Sequence, residues 1–202
     1  MSIKKFYATK DTTITNAYKE DLKTRATDAN MGLSDSLEAF FIYGQNPDPD
    51  ATDAQKREES RILVYPNMQA IWDYYGTFPT DVKFVLRLFN AEHPFTLPKN
   101  FTLNVYLQDS PWTEGHGLDM ESYKDLDAAN WIEKSSGSNW TIPGALETVP
   151  ELIGSKSFDT GEEDFELDIT SWVGSNWNGE PHNAFLIIIS PTESAGSINL
   201  YT

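Results

Sequence analysis

Val82-Lys83-Phe84-Val85-Leu86-Arg87-Leu88-Phe89 and Phe101-Thr102-Leu103-Asn104-Val105-Tyr106-Leu107-Gln108 are the two most strongly patterned segments of the chain. Alternate residues of a strand point to opposite faces of a sheet. Val82, Phe84, Leu86 and Leu88 therefore share one face, as do Leu103, Val105 and Leu107. The other face of the second stretch carries Thr102, Asn104, Tyr106 and Gln108, side chains that water tolerates. The pattern predicts two half-buried antiparallel strands, paired as a central hairpin across Asn90–Asn100 and leading into a long loop.

Outward from that hairpin, Phe6–Thr9 and Thr12–Tyr18 read as short strands, Asp21–Asp35 as a surface loop and Ser36–Tyr43 as a strand. Gln45–Glu59 holds Pro47, Pro49 and the acidic residues Asp48, Asp50, Asp53, Glu58 and Glu59, without apolar periodicity. It reads as a mobile insertion at 45–59 rather than a domain boundary. Strand character resumes over Ser60–Tyr65. Met68, Ile71 and Trp72 then fall at the i, i+3, i+4 spacing of one or two helical turns. The spacing of Met120, Tyr123 and Leu126 suggests short helical pieces within a long loop. Trp140–Ile142 and Lys156–Phe158 are weaker strands. Phe165, Leu167 and Ile169 alternate with Asp164, Glu166 and Asp168 as a half-buried strand, followed by a short helix capped by Thr170 or Ser171. Ala184–Ser190 is apolar on both faces and reads as a central strand, and Ser197–Thr202 as the start of another. The expected fold is all-β: a single domain over 1–202, a jelly-roll-like antiparallel β-sandwich with short helical turns in long loops.

Charge narrows the partners. The chain has 15 Lys+Arg against 31 Asp+Glu, a net charge of −16. Nucleic acid and anionic membranes, which need a basic surface, are not expected partners. There is no cysteine, so disulfides, thiolate catalysis and cysteine-based zinc sites are excluded. Met1–Phe6 has the charges of a signal peptide without the apolar run, and Ala184–Ile189 is too short to span a bilayer. A soluble chain without membrane insertion is the expectation.

Motifs for chemistry are sparse. His93, His116 and His182 stand in unrelated contexts, and neither a nucleophile elbow nor a phosphate-cradling loop occurs. Glu114 and Asp119, in the glycine-bearing loop Trp112–Asp119, are the pair of choice for a hydrolytic reading, which requires convergence in a cleft. Asp119, Asp125, Asp127 and Asn130 place oxygen-bearing side chains close together in sequence and are candidate calcium ligands, without the spacing of an EF-hand. Calcium is the one cofactor this composition suggests. Trp112, Trp131, Trp140 and Trp177 are candidates for a sugar-stacking platform or a protein interface, against the plainer expectation that they are core.

Several pieces also recur in a familiar order: Asp11–Tyr18, Asn30-Met31-Gly32-Leu33-Ser34-Asp35-Ser36-Leu37-Glu38, Ser60–Leu63, Trp112-Thr113-Glu114-Gly115-His116-Gly117-Leu118-Asp119, Asn130-Trp131 and Phe165–Val173. Together they resemble the DNRLRE-type (disaggregatase-related) β-sandwich modules, most closely the form in structural proteins of tailed bacteriophages. The resemblance spans nearly the whole chain. It implies a non-enzymatic virion component (decoration, collar, tail or fibre), made in the host cytoplasm and present in multiple copies or as a homo-oligomer. Its expected partners are other virion subunits and a host surface glycan. It also implies that the natural chain runs on past Thr202. The alternative is a carbohydrate-binding module of an extracellular polysaccharide-processing system.

Overall fold

The two patterned stretches do not pair with each other. In the computed structural model, which describes residues 3–91, 98–121, 125 and 127–177 and the backbone of 186–191, they belong to different sheets. The strands are β1 (Lys10–Thr15), β2 (Phe41–Tyr43), β3 (Arg57–Tyr65), β4 (Val85–Leu88), β5 (Phe101–Gln108), β6 (Glu133–Ser135), β7 (Ser138–Asn139), β8 (Glu151–Phe158), β9 (Phe165–Asp168) and β10 (Leu186–Pro191). The helices are α1 (Asp53–Lys56), α2 (Met68–Tyr75) and α3 (Thr170–Ser175). A six-stranded sheet runs β1-β3-β10-β5-β8, with β2 paired to β3; β4 pairs with β9, and β6 with β7. All these pairings are antiparallel, and the fold is all-β.

The burial alternation expected of the first stretch is present even though the pairing is not, whereas β5 is buried or half-buried on both faces. Phe84 is buried and Val82, Leu86 and Leu88 are half-buried, while Lys83, Val85 and Arg87 are exposed. Leu86 and Leu88 meet Ile62, Val64, Val105, Phe158 and Phe165 in one apolar cluster. The small β4–β9 sheet thus packs on one face of the main sheet. A hairpin between β4 and β5 would have spent both apolar faces on the same side of one sheet; separated, they face each other across the core.

The opposite face of the main sheet is the larger departure. Leu63, between Ile62 and Val64 on β3, belongs to a second cluster with Ile14, Trp112, Ala129, Trp131, Trp140 and Ala145. The long connection between β5 and β8 lies over that face. Asn104 and Gln108 are therefore buried rather than wet. Their polar atoms are satisfied inside: Gln108 Nε2 donates to the Ala145 carbonyl (2.8 Å), its Oε1 accepts from Ser110 N–H (2.8 Å), and Asn104 Oδ1 accepts from Ser155 Oγ (2.7 Å).

Smaller elements follow local chemistry. Asn67 caps α2 by accepting from Ala70 N–H (3.0 Å), and Gly76 ends it at φ +68°. Met68 and Ile71 enter a third cluster with Phe84, Ile169, Trp172 and Val173. The 45–59 segment is not featureless: Thr52 and Gln55 form a reciprocal capping box on α1, and β3 already begins at Arg57. β2 covers only Phe41–Tyr43 of the longer strand expected, and Phe6–Thr9 is not a strand. The cap of α3 is Ile169, without a side-chain bond; the Thr170 hydroxyl instead accepts from Phe84 N–H (2.8 Å), tying the helix to the start of β4. β10 lies between β3 and β5, the central position expected of Ala184–Ser190. Of the three residues with helical spacing, Met120 sits in a bend, and Tyr123 and Leu126 lie outside the described residues. The strand expected at Ser197–Thr202, His93 and His182 lie outside the described residues.

The turn from β8 to β9 is closed by one carboxylate. Glu163 accepts from the N–H groups of Thr160 (2.9 Å), Asp159 (2.9 Å) and Gly161 (2.8 Å), which hold its pKa down to about 2 from 4.5. A depressed carboxylate stabilises the fold above its unfolded value and loses that contribution as pH falls through its folded one. The stability gap between the parent chain and Glu163→Gln will therefore narrow between pH 4.5 and about 2 in urea titrations. A gap constant across that window would refute the assignment.

Candidate functional site

Three segments distant in sequence meet around Asn30, which is fully buried. Its Nδ2 donates to the carbonyls of Glu114 (2.7 Å) and Ala129 (2.8 Å), and its Oδ1 accepts from the N–H groups of Gly117 (2.8 Å) and Gly32 (3.2 Å). One amide thus uses both donors and both lone pairs on four backbone groups. The segments approach so closely that side chains are excluded. A Cβ on Gly117 would fall 1.9 Å from the Asn30 carbonyl oxygen, and one on Gly32 2.2 Å from that of Glu114.

Asn130 does the same for the next turn. Its Oδ1 accepts from Ile132 N–H (2.8 Å) and Glu133 N–H (2.8 Å), and its carbonyl accepts from Trp140 Nε1 (2.8 Å). Trp131 beside it lies 4.7 Å under the Arg61 guanidinium. Arg61 Nη1 donates to the Gly144 carbonyl (2.6 Å) and Nη2 to Glu59 Oε1 (3.0 Å). Burial pushes the Arg61 pKa down, and the neighbouring Glu59 carboxylate acts against that shift. Arg61 thereby pins the loop layer to β3.

The site residues expected from sequence are distributed as follows. Trp112, Trp131 and Trp140 are buried together in the cluster on the loop-covered face and offer no exposed ring for stacking. Trp177 stands apart, half-buried, with its ring centroid 4.9 Å from Trp72 and 5.6 Å from Phe78. Glu114 is half-buried and accepts from Asp11 N–H on β1 (2.8 Å), whereas Asp119 is exposed and accepts from Glu121 N–H (2.8 Å). Asp125 accepts from His116 N–H (2.9 Å) and Asp127 N–H (3.2 Å), and pairs with the exposed His116 ring (Nδ1 at 3.5 Å). Asp127 is exposed, and the Asn130 side-chain oxygen is already committed to its turn. Asp119, Asp125 and Asp127 do not come together as a metal-ligating group; among the described residues no three Asp, Glu or His side chains do.

What the sequence reading missed is an aromatic cleft elsewhere. An open depression of about 570 Å³ lies between the N-terminal segment and α2, lined among others by Lys4, Phe6, Tyr7, Asn67, Asp73 and Tyr74. Tyr7 is 77% exposed and Tyr74 58%. The Phe6 ring meets Tyr74 edge-on at 5.8 Å, and Lys4 Nζ sits 5.0 Å from the Tyr74 centroid. A signal for it was present. The i, i+3, i+4 pattern that turns Met68, Ile71 and Trp72 inward leaves Tyr74 on another face of α2. Nothing of that kind marked Asn30, Arg61 or the fully buried Glu58, whose Oε2 accepts from Tyr18 N–H (2.7 Å).

Among the described residues no helix is long and apolar enough to cross a membrane. Compared with known protein families, curated proteins and solved structures, the chain matches none.

Proposed function

We propose that the chain is a non-enzymatic structural module of a bacteriophage virion, of the DNRLRE-like type, that binds other virion subunits through its surface. On this reading the fold is a jelly-roll-like sandwich, for which the packing of β4–β9 on the main sheet is the support. The observation that carries the proposal is how the resembling pieces are used. Asn30–Gly32, Trp112–Gly117 and Asn130-Trp131 are knitted into one buried layer. Their polar groups bond backbone instead of lining a reaction cleft. Glu114, the favoured hydrolytic carboxylate, braces β1. Such a layer supplies rigidity, which a subunit of an assembled particle needs. The test is to image particles that contain the protein and measure its copy number. Ordered, stoichiometric density supports the role, and its absence from purified particles sinks it.

The exposed Tyr7 and Tyr74 favour a second reading, a glycan-binding module, with the sugar in that cleft rather than on any tryptophan. Sugar rings stack on exposed aromatic faces flanked by polar groups, and Asp73 and Lys4 stand beside these two. Substituting Tyr74→Ala will then abolish binding on a glycan array while leaving the thermal midpoint unchanged within about 2 °C, because an exposed ring contributes little to the core. A chain that binds no glycan, or a Tyr74→Ala variant that binds as well as the parent, removes this reading.

A further inference from the structure

β8 is the last strand of the main sheet, paired with β5 along one side. Asn100 N–H donates to the Asp159 carbonyl (3.2 Å), which sets the phase of that ladder. In an antiparallel pair, alternate residues aim their backbone groups at the partner. Asp159, Ser157 and Ser155 therefore face β5, while Phe158, Lys156 and Gly154 turn their N–H and C=O groups outward. The register shift pairs Tyr106 with Leu152 and leaves Ile153 without an opposite residue. Leu152 thus faces β5, and Glu151 turns outward again. Among the described residues no backbone group bonds along that outer side.

An open strand edge invites any extended chain, and an inward-pointing lysine is one device that discourages it. Lys156 is such a residue. It shares a face with the buried Phe158, and its Nζ lies 5.7 Å from that ring. A foreign strand laid beside it would press on a half-buried ammonium without neutralising it. β8 itself carries the complement.

We propose that β8 is a homodimerisation edge, pairing antiparallel with β8 of a second copy about a two-fold axis between Ile153 and Gly154. In that register Glu151 stands opposite Lys156 of the second copy, and Lys156 opposite its Glu151. Both pairs sit at positions whose backbone groups point outward. Leu152, 53% exposed, stands opposite Ser155 on the other face. The contact is isologous and closes at two copies. It joins the two main sheets into one by strand addition. The inference deepens the reading of a multi-copy structural protein by naming the surface through which copies meet.

The test uses the full chain in light scattering over a concentration series. The parent will dimerise. Lys156→Glu places like charges opposite each other twice and will weaken the dimer roughly tenfold, and Glu151→Lys with Lys156→Glu will restore it. Register is read with Leu152→Cys and Ser155→Cys together. The chain has no other cysteine. The two positions are about 10 Å apart along one strand, too far to bridge within a chain. Across the axis they face each other at non-hydrogen-bonded positions, about 4.5 Å between Cα atoms, and oxidation will yield a reducible covalent dimer. A monomeric parent, a Lys156→Glu variant that dimerises as tightly as the parent, a charge swap that fails to restore the dimer, or no covalent dimer would each overturn the proposal. Absence from particles with the dimer intact removes the virion reading alone, and a monomer found in stoichiometric particle density removes this one alone.

Discussion

Asn30→Ala will cost about 3–6 kcal/mol of folding stability, because four backbone groups lose their partner at once; each of the two fully buried bonds leaves an unsatisfied group that costs about 1–3 kcal/mol, and the two half-buried ones cost less. The Glu114 and Ala129 carbonyls lose a donor, and the Gly117 and Gly32 N–H groups lose an acceptor. Water cannot replace the amide without opening the layer, since Asn30 is fully buried. At about 2–4 °C per kcal/mol for a chain of this size, the thermal midpoint falls by roughly 6–24 °C. Asn30→Asp separates the contributions. It keeps the oxygen that serves Gly117 and Gly32 but sets a second carboxylate oxygen against the two carbonyls. It too will destabilise, and more at neutral pH than in acid, where a protonated carboxyl can donate. A midpoint within 2 °C of the parent for Asn30→Ala, read by circular dichroism, would show that the layer is not held this way.

Trp131→Ala will cost about 3–5 kcal/mol, the range for deleting a buried indole. Trp131 is 7% exposed, and its ring packs against both the Arg61 guanidinium and Gly144, where even an added Cβ would come 2.8 Å from the ring. Its loss opens a cavity and removes the aromatic face that offsets part of the cost of burying Arg61. Trp131→Phe, which keeps a ring over Arg61, will recover part of the loss. The experiment also separates core from platform. If Trp131 were a sugar-stacking residue, its removal would abolish glycan binding with little change in a urea midpoint; the structure leads to the opposite order of effects.

Alternation over Val82–Leu88 and Leu103–Leu107 was legible because a half-buried strand repeats every two residues, and both stretches bury the face that the pattern selects. The same logic located β9 and the inward face of α2. It failed at Asn104 and Gln108. Their face looked wet because a strand's own residues do not record what another part of the chain lays over them. It is silent on Thr12, Thr13 and Thr15, all fully buried on β1, since threonine reads equally well at an edge or inside. The oxygen-rich stretch from Asp119 to Asn130 suggested cation binding by composition. Asp119, Asp125 and Asn130 instead accept from nearby backbone N–H groups. Asx turns and metal loops draw on the same residues, and only geometry separates them.

Local patterning carries the all-β class, the residues of several strands and one apolar face of each, because periodicity is a property of neighbouring residues. Pairing is not local. β4 joins β9 and β5 joins β8 and β10 because facing apolar surfaces across a core removes more of them from water than setting them side by side. Tertiary packing alone lays a loop layer over the second face, holds it there through Asn30, Arg61 and Trp131, and puts Trp112, Trp131 and Trp140 inside while Tyr7 and Tyr74 stay in solvent. Each of these depends on residues about a hundred positions apart or on the exclusion of water by segments the local sequence does not name.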